Sequence, residues 1–216
     1  MANHSESLTV EALAEEFNFD ADTLSRLNIY HDLLIKWQKA INLVGPSTLA
    51  DPWRRHFLDS AQVRETVPAG AARLIDMGSG AGFPGLVLAI LTDLDVILIE
   101  SDRRKCAFLR EVARATETGV AILDKRIEAV EIEPAEIVTA RALAPVDRLL
   151  SYAVPLLKPT GLACFLKGKT ILEELTDARR HWTMEIEQLV SRSDRDGRLL
   201  LLRNINRGPA STESQV

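Results

Sequence analysis

The sequence predicts an α/β fold in which helices cover a mostly parallel, doubly wound sheet. From residue 72 to residue 181, short apolar runs typical of buried strands alternate with amphipathic helical segments, an order that requires crossover connections between parallel strands. Near the end of the chain, two strand-like segments follow each other with no helix between them, which is typical of an antiparallel hairpin. We therefore expect a seven-stranded sheet that ends in a hairpin.

The first 66 residues are predicted to be helical. Residues 9–17 form a short amphipathic stretch and residues 22–41 a longer one. Asp51 followed by Pro52 is typical of a helix start, because aspartate caps a helix and proline suits its first position. We expect a helical N-terminal cap over residues 1–70, a core domain over residues 71–208 and a flexible tail over residues 209–216.

The core domain is predicted to open with a strand at residues 72–76. Further strands are expected at 95–100, 120–123, 136–140 and 161–166, and helices at 84–92, 102–117, 146–157 and 170–181, with a short turn or helix near 127–130. Pro84 is expected at the first position of its helix. The hairpin joins residues 184–190 to residues 199–204 through the polar segment SRSDRDGR. An incidental hairpin at the sheet edge is the alternative interpretation.

The composition favours an ordinary globular protein without a membrane anchor. A chain of 216 residues, 46% of them hydrophobic, can bury about 70% of its unfolded surface. Its apolar runs are far shorter than the ~18 residues of a membrane span, and no signal peptide is visible, so we expect a cytoplasmic protein. Cys106 and Cys164 lie in apolar patterns, which predicts buried free thiols and no metal site.

The segment DMGSGAGFPGL, residues 76–86, predicts a nucleoside-binding turn after the first strand. Gly80, Gly82 and Gly85 have the G-x-G-x-x-G spacing of dinucleotide sites. Asp76, Gly78, Gly80 and Gly82 equally fit the loop of another nucleoside cofactor. The glycines alone therefore leave the choice of cofactor open.

Two acidic residues bear on that choice. Glu100 ends the second strand, where a carboxylate can accept hydrogen bonds from the ribose hydroxyls of either cofactor. Alternatively, Glu100 could cap the helix that begins near Asp102. Asp76 would repel a pyrophosphate but favour the sulfonium and α-amino groups of S-adenosylmethionine, unless it only bonds loop amides. Asp76 and the terminal hairpin thus favour a methyltransferase, with a dinucleotide oxidoreductase as the alternative of a different class.

Five separated blocks resemble one family. KWQKAINLVGPS, RHFLDS, DMGSGAGFPGL, ESDRRKCAFLREV and TARAL occur in the family's order over roughly residues 25–170. Together they resemble RsmG, also called GidB, the methyltransferases of bacterial 16S ribosomal RNA. The resemblance implies a Rossmann-like class I methyltransferase fold, S-adenosylmethionine as cofactor and transfer to N7 of guanine 527. NLV and ARA stand where the family commonly has NLT and SRA, and both departures are conservative.

The resemblance also implies which residues form the site. Together with the loop residues above, we predict a cofactor-binding set of Asp76, Gly78, Gly80, Gly82, Phe83, Glu100, Ile127, Glu128 and Arg141. Guanine N7 carries a lone pair and no proton, so no general base is expected. Candidates for positioning the substrate are Asn42, His56, Arg141 and Lys167, although His56 could equally be a packed structural residue.

A net charge of −5 argues against a basic coat but allows a local RNA-binding surface. The expected partner is 16S ribosomal RNA or an assembling small subunit, bound by a monomer. Predicted RNA-binding residues are Arg54, Arg55, Arg103, Arg110, Arg114, Lys167 and Lys169. An ordinary solvated helix face is the alternative for the arginines of helix 102–117. A methyltransferase for another substrate and a nucleotide-binding protein without activity also remain open.

Overall fold

A computed structural model describes residues 7–208 as helices around one seven-stranded sheet. The strands are β1 Arg73–Met77, β2 Asp95–Glu100, β3 Val120–Asp124, β4 Ala135–Arg141, β5 Leu157–Lys167, β6 Trp182–Val190 and β7 Arg198–Arg207. Their order across the sheet is β3-β2-β1-β4-β5-β7-β6, with β7 antiparallel to both of its neighbours and the other pairs parallel. The predicted sheet with its terminal hairpin is confirmed, and the predicted tail lies outside the described residues.

The α-helices follow the predicted order. They are α1 Val10–Phe17, α2 Ala21–Gln38, α3 Asp59–Ala61, α4 Gly85–Leu91, α5 Arg103–Ala115, α6 Val146–Ala153 and α7 Ile171–Ala178. Pro84 lies one residue before its helix instead of at the first position. A π-helical turn at Trp53–Leu58, which the sequence pattern did not predict, follows the expected cap, where the Asp51 carboxylate accepts from the backbone N–H of Arg54.

The two faces of the sheet have separate cores because side chains alternate along each strand. Along β1, Leu74 packs with the N-terminal helices, α4 and α5, whereas Ile75 packs with α6 and α7. Cap residues such as Leu27 and Leu34 are fully buried in the first of these cores. The N-terminal helices therefore share a core with the sheet.

The topology places the site at the carboxyl ends of the central strands, which we call the carboxyl edge of the sheet. The chain turns in opposite directions from β1, to β2 on one side and to β4 on the other. Ligands of open α/β sheets bind at such a switch point, outside the carboxyl ends of the strands. Glu100 ends β2 and Arg141 ends β4, so these two predicted residues meet at that edge.

Two other sequence predictions concern the interior and the membrane. Cys106 and Cys164 are buried free thiols, as predicted. None of the helices described between residues 7 and 208 has the length and apolar content to cross a membrane.

Candidate active site

The glycine loop after β1 is a left-handed turn packed against other elements. Gly78, Gly80 and Gly82 have φ values of +64°, +58° and +91°, a region that other residues rarely adopt. A Cβ atom on Gly82 would lie 2.5 Å from the Tyr30 hydroxyl, and one on Gly78 would lie 2.6 Å from Leu143. Both positions therefore require glycine for packing as well as for backbone conformation.

Four N–H groups of this loop donate hydrogen bonds within the protein. Ser79 N donates to Ile99 O (3.0 Å), Gly80 N to Glu100 Oε2 (2.8 Å), Gly82 N to Ser79 O (2.7 Å) and Leu86 N to Gly82 O (2.8 Å). Glu100 Oε1 also accepts from Asp102 N at 2.7 Å, immediately before α5. Glu100 thus places a negative charge beside the loop while joining it to the start of α5.

Two neighbouring cavities are both lined by this loop. We call them the Phe83 cavity, of about 430 Å³, and the Glu100 cavity, of about 410 Å³. Both are lined by Gly78, Gly80, Lys105, Arg141 and Ala142. The Glu100 cavity adds the predicted residues Glu100, Ile127 and Glu128, and the Phe83 cavity adds Arg55, His56, Phe83 and Lys167. The structure therefore brings most of the predicted site together.

Arg141 is held between the two cavities by the N-terminal region. Its Nη1 donates to Nδ1 of His56 at 2.9 Å and to the carbonyl oxygen of Arg55 at 3.2 Å. The same nitrogen lies 3.6 Å from Asp59 Oδ2, and the guanidinium is 5.0 Å from the centroid of the Phe83 ring. These contacts fix its orientation at the end of β4.

His56 is a neutral hydrogen-bond acceptor in this arrangement. Because Arg141 donates to Nδ1, the ring proton is on Nε2, which lies 2.7 Å from Thr48 Oγ1. The Thr48 hydroxyl in turn donates to the carbonyl of Gly45 at 2.6 Å. Burial, together with the charges of Arg141 and Arg55, lowers the pKa of His56 to about 3. His56 is therefore suited to positioning Arg141 and not to accepting a proton near neutral pH.

The loop of the terminal hairpin completes the Phe83 cavity. Asp59 Oδ1 accepts from the Ser193 hydroxyl at 2.6 Å and from the Ser191 hydroxyl at 3.2 Å. Arg55 forms an ion pair with Asp194 at 2.6 Å. Because β7 lies inside the sheet and its loop lines the cavity, the interpretation as an incidental edge hairpin was wrong.

Asp76 lies behind the loop instead of lining either cavity. It is fully buried, its Oδ1 accepts from the Thr139 hydroxyl at 2.7 Å, and its Oδ2 has no hydrogen-bond partner within residues 7–208. A Cβ on Gly85 would lie 2.8 Å from that oxygen. Burial raises the pKa of Asp76 to about 6. The structure therefore places Asp76 beside the loop and not in the lining of either cavity.

Several predicted residues lie at the margin. Asn42 is exposed in a third cavity, of about 400 Å³, between the end of α2 and the start of α5. Lys167 reaches the Phe83 cavity, but its Nζ lies 2.6 Å from Glu174 Oε2. Arg103, Arg110 and Arg114 are exposed on α5, outside these three cavities.

The sequence reasoning missed four residues that shape the site. Tyr30 stacks on Phe83 at 5.2 Å, and its hydroxyl donates to the carbonyl of Ala81. Thr48 and Asp59 bond His56 and the hairpin loop as described, and Lys105 lines all three cavities. Asp59 belongs to the RHFLDS block, so its place beside His56 was the one local signal.

Comparison with known proteins identifies the family. The family described as rRNA small subunit methyltransferase G, GidB, matches residues 23–200. Ribosomal RNA small subunit methyltransferase G of Paramagnetospirillum magneticum is 52% identical over 93% of this chain and 98% of its own length. The protein of the same name from Rhodospirillum rubrum is 49% identical over 93% of this chain and 100% of its own.

Solved structures support the fold alone. Ribosomal protein L11 methylase from Lactobacillus delbrueckii subsp. bulgaricus has a TM-score of 0.57 at 16% identity and covers 67% of this chain and 76% of its own. A methyltransferase from Pyrococcus furiosus has a TM-score of 0.57 at 13% identity, covering 83% and 98%. The sheet is thus that of class I methyltransferases. From its match over most of its length, this chain belongs to the rRNA small subunit methyltransferase G (GidB) family.

Proposed function

We propose that this protein transfers a methyl group from S-adenosylmethionine to N7 of a guanine, position 527 in the customary numbering, in bacterial 16S ribosomal RNA. The observation that carries the cofactor assignment is the bonding of the glycine loop. Four of its N–H groups donate inside the protein, one of them to the Glu100 carboxylate. The Glu100 carboxylate beside the loop would repel a pyrophosphate, whereas it attracts a cationic sulfonium cofactor.

The Glu100 cavity suits the nucleoside part of this cofactor. The carboxylate of Glu100 keeps lone pairs beyond those used by Gly80 and Asp102, and these can accept ribose hydroxyls. Ile127 and Glu128 line the same cavity, and Glu128 accepts from the Tyr152 hydroxyl at 2.9 Å. Gly78 and Arg141, which line both cavities, are then placed beside the methionine part.

The Phe83 cavity is proposed to receive the target guanine. When bound, S-adenosylmethionine supplies an electrophilic methyl group, and guanine N7 attacks with its own lone pair without losing a proton. This reaction requires no general base, and His56 is not available as one, because both of its ring nitrogens are hydrogen-bonded and its pKa is about 3. The protein's contribution is then alignment of the base and exclusion of water by Phe83 and its neighbours.

The arrangement also constrains how guanine is held. A donor on N7 would occupy the attacking lone pair, so the usual arginine contact to O6 and N7 is incompatible with reaction. Arg141 donates to His56 and Arg55 instead. We therefore propose that the base is recognised through O6 or its Watson–Crick edge and that other arginines contact phosphates.

The decisive experiment maps N7-methylguanine in 16S ribosomal RNA. RNA from cells lacking this protein should lose the modification at one guanine, and the purified protein with S-adenosylmethionine should restore it. Glu100→Gln should raise the cofactor Kd at least about tenfold, since a hydrogen bond to a charged group contributes about 1.5–3 kcal/mol. Glu187→Gln, at an exposed position on β6, is the matched control.

Three results would contradict the proposal in different ways. An unchanged modification pattern in the deletion strain would refute the assignment of the target guanine. Methylation of another RNA or a protein would leave only the cofactor assignment standing. Tight binding of NAD without binding of S-adenosylmethionine would refute the cofactor assignment. We further expect a cytoplasmic monomer, which light scattering on the purified protein tests.

A further inference from the structure

Ion pairing separates the basic side chains of this protein into two groups. Five of the seven residues predicted to bind RNA already face a carboxylate within 4 Å. These pairs are Arg54–Asp51, Arg55–Asp194, Arg114–Glu111, Lys167–Glu174 and Lys169–Asp196. A phosphate that approached any of them would compete with that carboxylate, so these side chains are weaker candidates for phosphate contacts.

Arg148 and Arg198 line the cavities without an ion pair among the described residues, but Arg148 donates to the Tyr152 hydroxyl and Arg198 to two backbone carbonyls. Four other cations that line the cavities make neither an ion pair nor a side-chain hydrogen bond within residues 7–208. They are Lys39, Lys105, Lys125 and Arg126, which we call the basic track. All are exposed except Lys105, which is half-buried. In the third cavity, the Asp102 carboxylate accepts from the backbone N–H groups of Arg104 and Lys105. In the Glu100 cavity, the charge of Arg126 helps to lower the pKa of Glu128, but the two side chains form no ion pair within 4 Å.

The residues of the basic track line three neighbouring cavities. Lys39 lines the third cavity together with Asn42. Lys105 lines that cavity, the Phe83 cavity and the Glu100 cavity, and so joins all three. Lys125 and Arg126 line the Glu100 cavity. Arg103 and Arg110 also lack an ion pair among the described residues, but they line none of the three.

We propose that phosphates of the RNA segment flanking the target guanine bind along the basic track. This inference rests on the proposed function, since it assumes that a guanine enters the Phe83 cavity. Unpaired cations can neutralise phosphates and release counterions without first losing a protein carboxylate. Their continuity through Lys105 lets one RNA segment contact them while its base occupies the site. Asn42, exposed beside Lys39, then faces this RNA and not the reacting atoms.

The test measures binding of unmodified 16S ribosomal RNA at several salt concentrations, without cofactor. The double variant Lys39→Ala and Lys125→Ala should bind about tenfold more weakly at about 0.1 M salt. The slope of log affinity against log salt should become shallower by about 1.4 to 1.8, for two lost phosphate contacts. The control is Arg64→Ala with Arg179→Ala, which removes the same charge from exposed positions outside the three cavities.

The outcomes separate this inference from the proposed function. The control should keep the wild-type affinity and slope, and equal unfolding midpoints verify that both variants fold. If the Lys39 and Lys125 variant binds like wild type, or if the control loses as much, the track is refuted. If the wild-type protein binds RNA through the track but methylates no guanine N7 in the same preparation, the proposed function fails and the track stands.

Discussion

The buried, neutral state of His56 predicts how stability depends on pH. Its side chain is 4% exposed, and burial with the charges of Arg141 and Arg55 lowers its pKa from 6.5 to about 3. In the unfolded chain the imidazole has a pKa near 6.5. Below that pH, the unfolded state therefore binds a proton at His56 that the folded state does not bind. The stabilisation from a neutral His56 is therefore complete above about pH 6.5 and is lost as the pH falls toward 3.

His56→Gln isolates this effect. A glutamine amide can accept from Arg141 and donate to Thr48, as the imidazole does, but it does not titrate. Between about pH 8 and pH 5, the two pKa values predict that wild type loses about 2 kcal/mol relative to the variant. Urea unfolding of both proteins across this range measures that difference.

A control and a refuting result accompany this test. His181→Gln makes the same substitution at a ring that is 60% exposed, and it should show a smaller change with pH. A wild-type to His56→Gln difference that stays constant from pH 8 to pH 5 would mean that folded His56 accepts a proton normally. Its assignment as a fixed acceptor for Arg141 would then be wrong, and a role as general base would reopen.

Three further predictions concern the loop and its neighbours. Gly82→Ala should lower the unfolding free energy by about 2–5 kcal/mol through backbone strain and crowding, whereas Gly168→Ala, which meets nothing within 4 Å, should stay within about 1 kcal/mol by urea unfolding. Between about pH 4 and pH 7, the unfolding free energy of Asp76→Asn should rise by about 2 kcal/mol relative to that of wild type in the same assay, because a folded pKa near 6 makes the ionised wild-type carboxylate unfavourable in the folded state. Arg141→Lys should slow methyl transfer at least about tenfold in a single-turnover assay with little change in Tm, since an ammonium lacks the planar geometry that meets His56.

The sequence was most informative where chain order determines place. Parallel strands end at the same edge, so Glu100 after β2 and Arg141 after β4 could be predicted to meet there. The partners of Arg141 could not be predicted, because they lie on a π-helical turn and follow from tertiary packing. Asp76 is a third case, because the sequence predicted a carboxylate that faces the cofactor, whereas the structure buries it against the Thr139 hydroxyl and outside the lining of both cavities.

The glycine pattern is instructive for a related reason. The positions that fit the G-x-G-x-x-G spacing require glycine because different neighbouring side chains leave no room for a Cβ atom. At Gly82 the neighbour is Tyr30, and at Gly85 it is Asp76, whose Cβ atom would lie 2.6 Å from a Cβ added to the glycine. Spacing therefore indicated a tight turn but could not tell whether a phosphate or the protein itself required it.

The contacts of the hairpin loop also determine how late in synthesis the lining of the Phe83 cavity is completed. Arg55 and Asp194 are 139 positions apart, and Asp59 and Ser193 are 134 apart. A growing chain that has reached β6 already carries the glycine loop, Arg141 and the whole cap, yet it lacks the residues that hold Asp59. Because synthesis starts at the N-terminus, these lining residues join the Phe83 cavity only after β6 has been made.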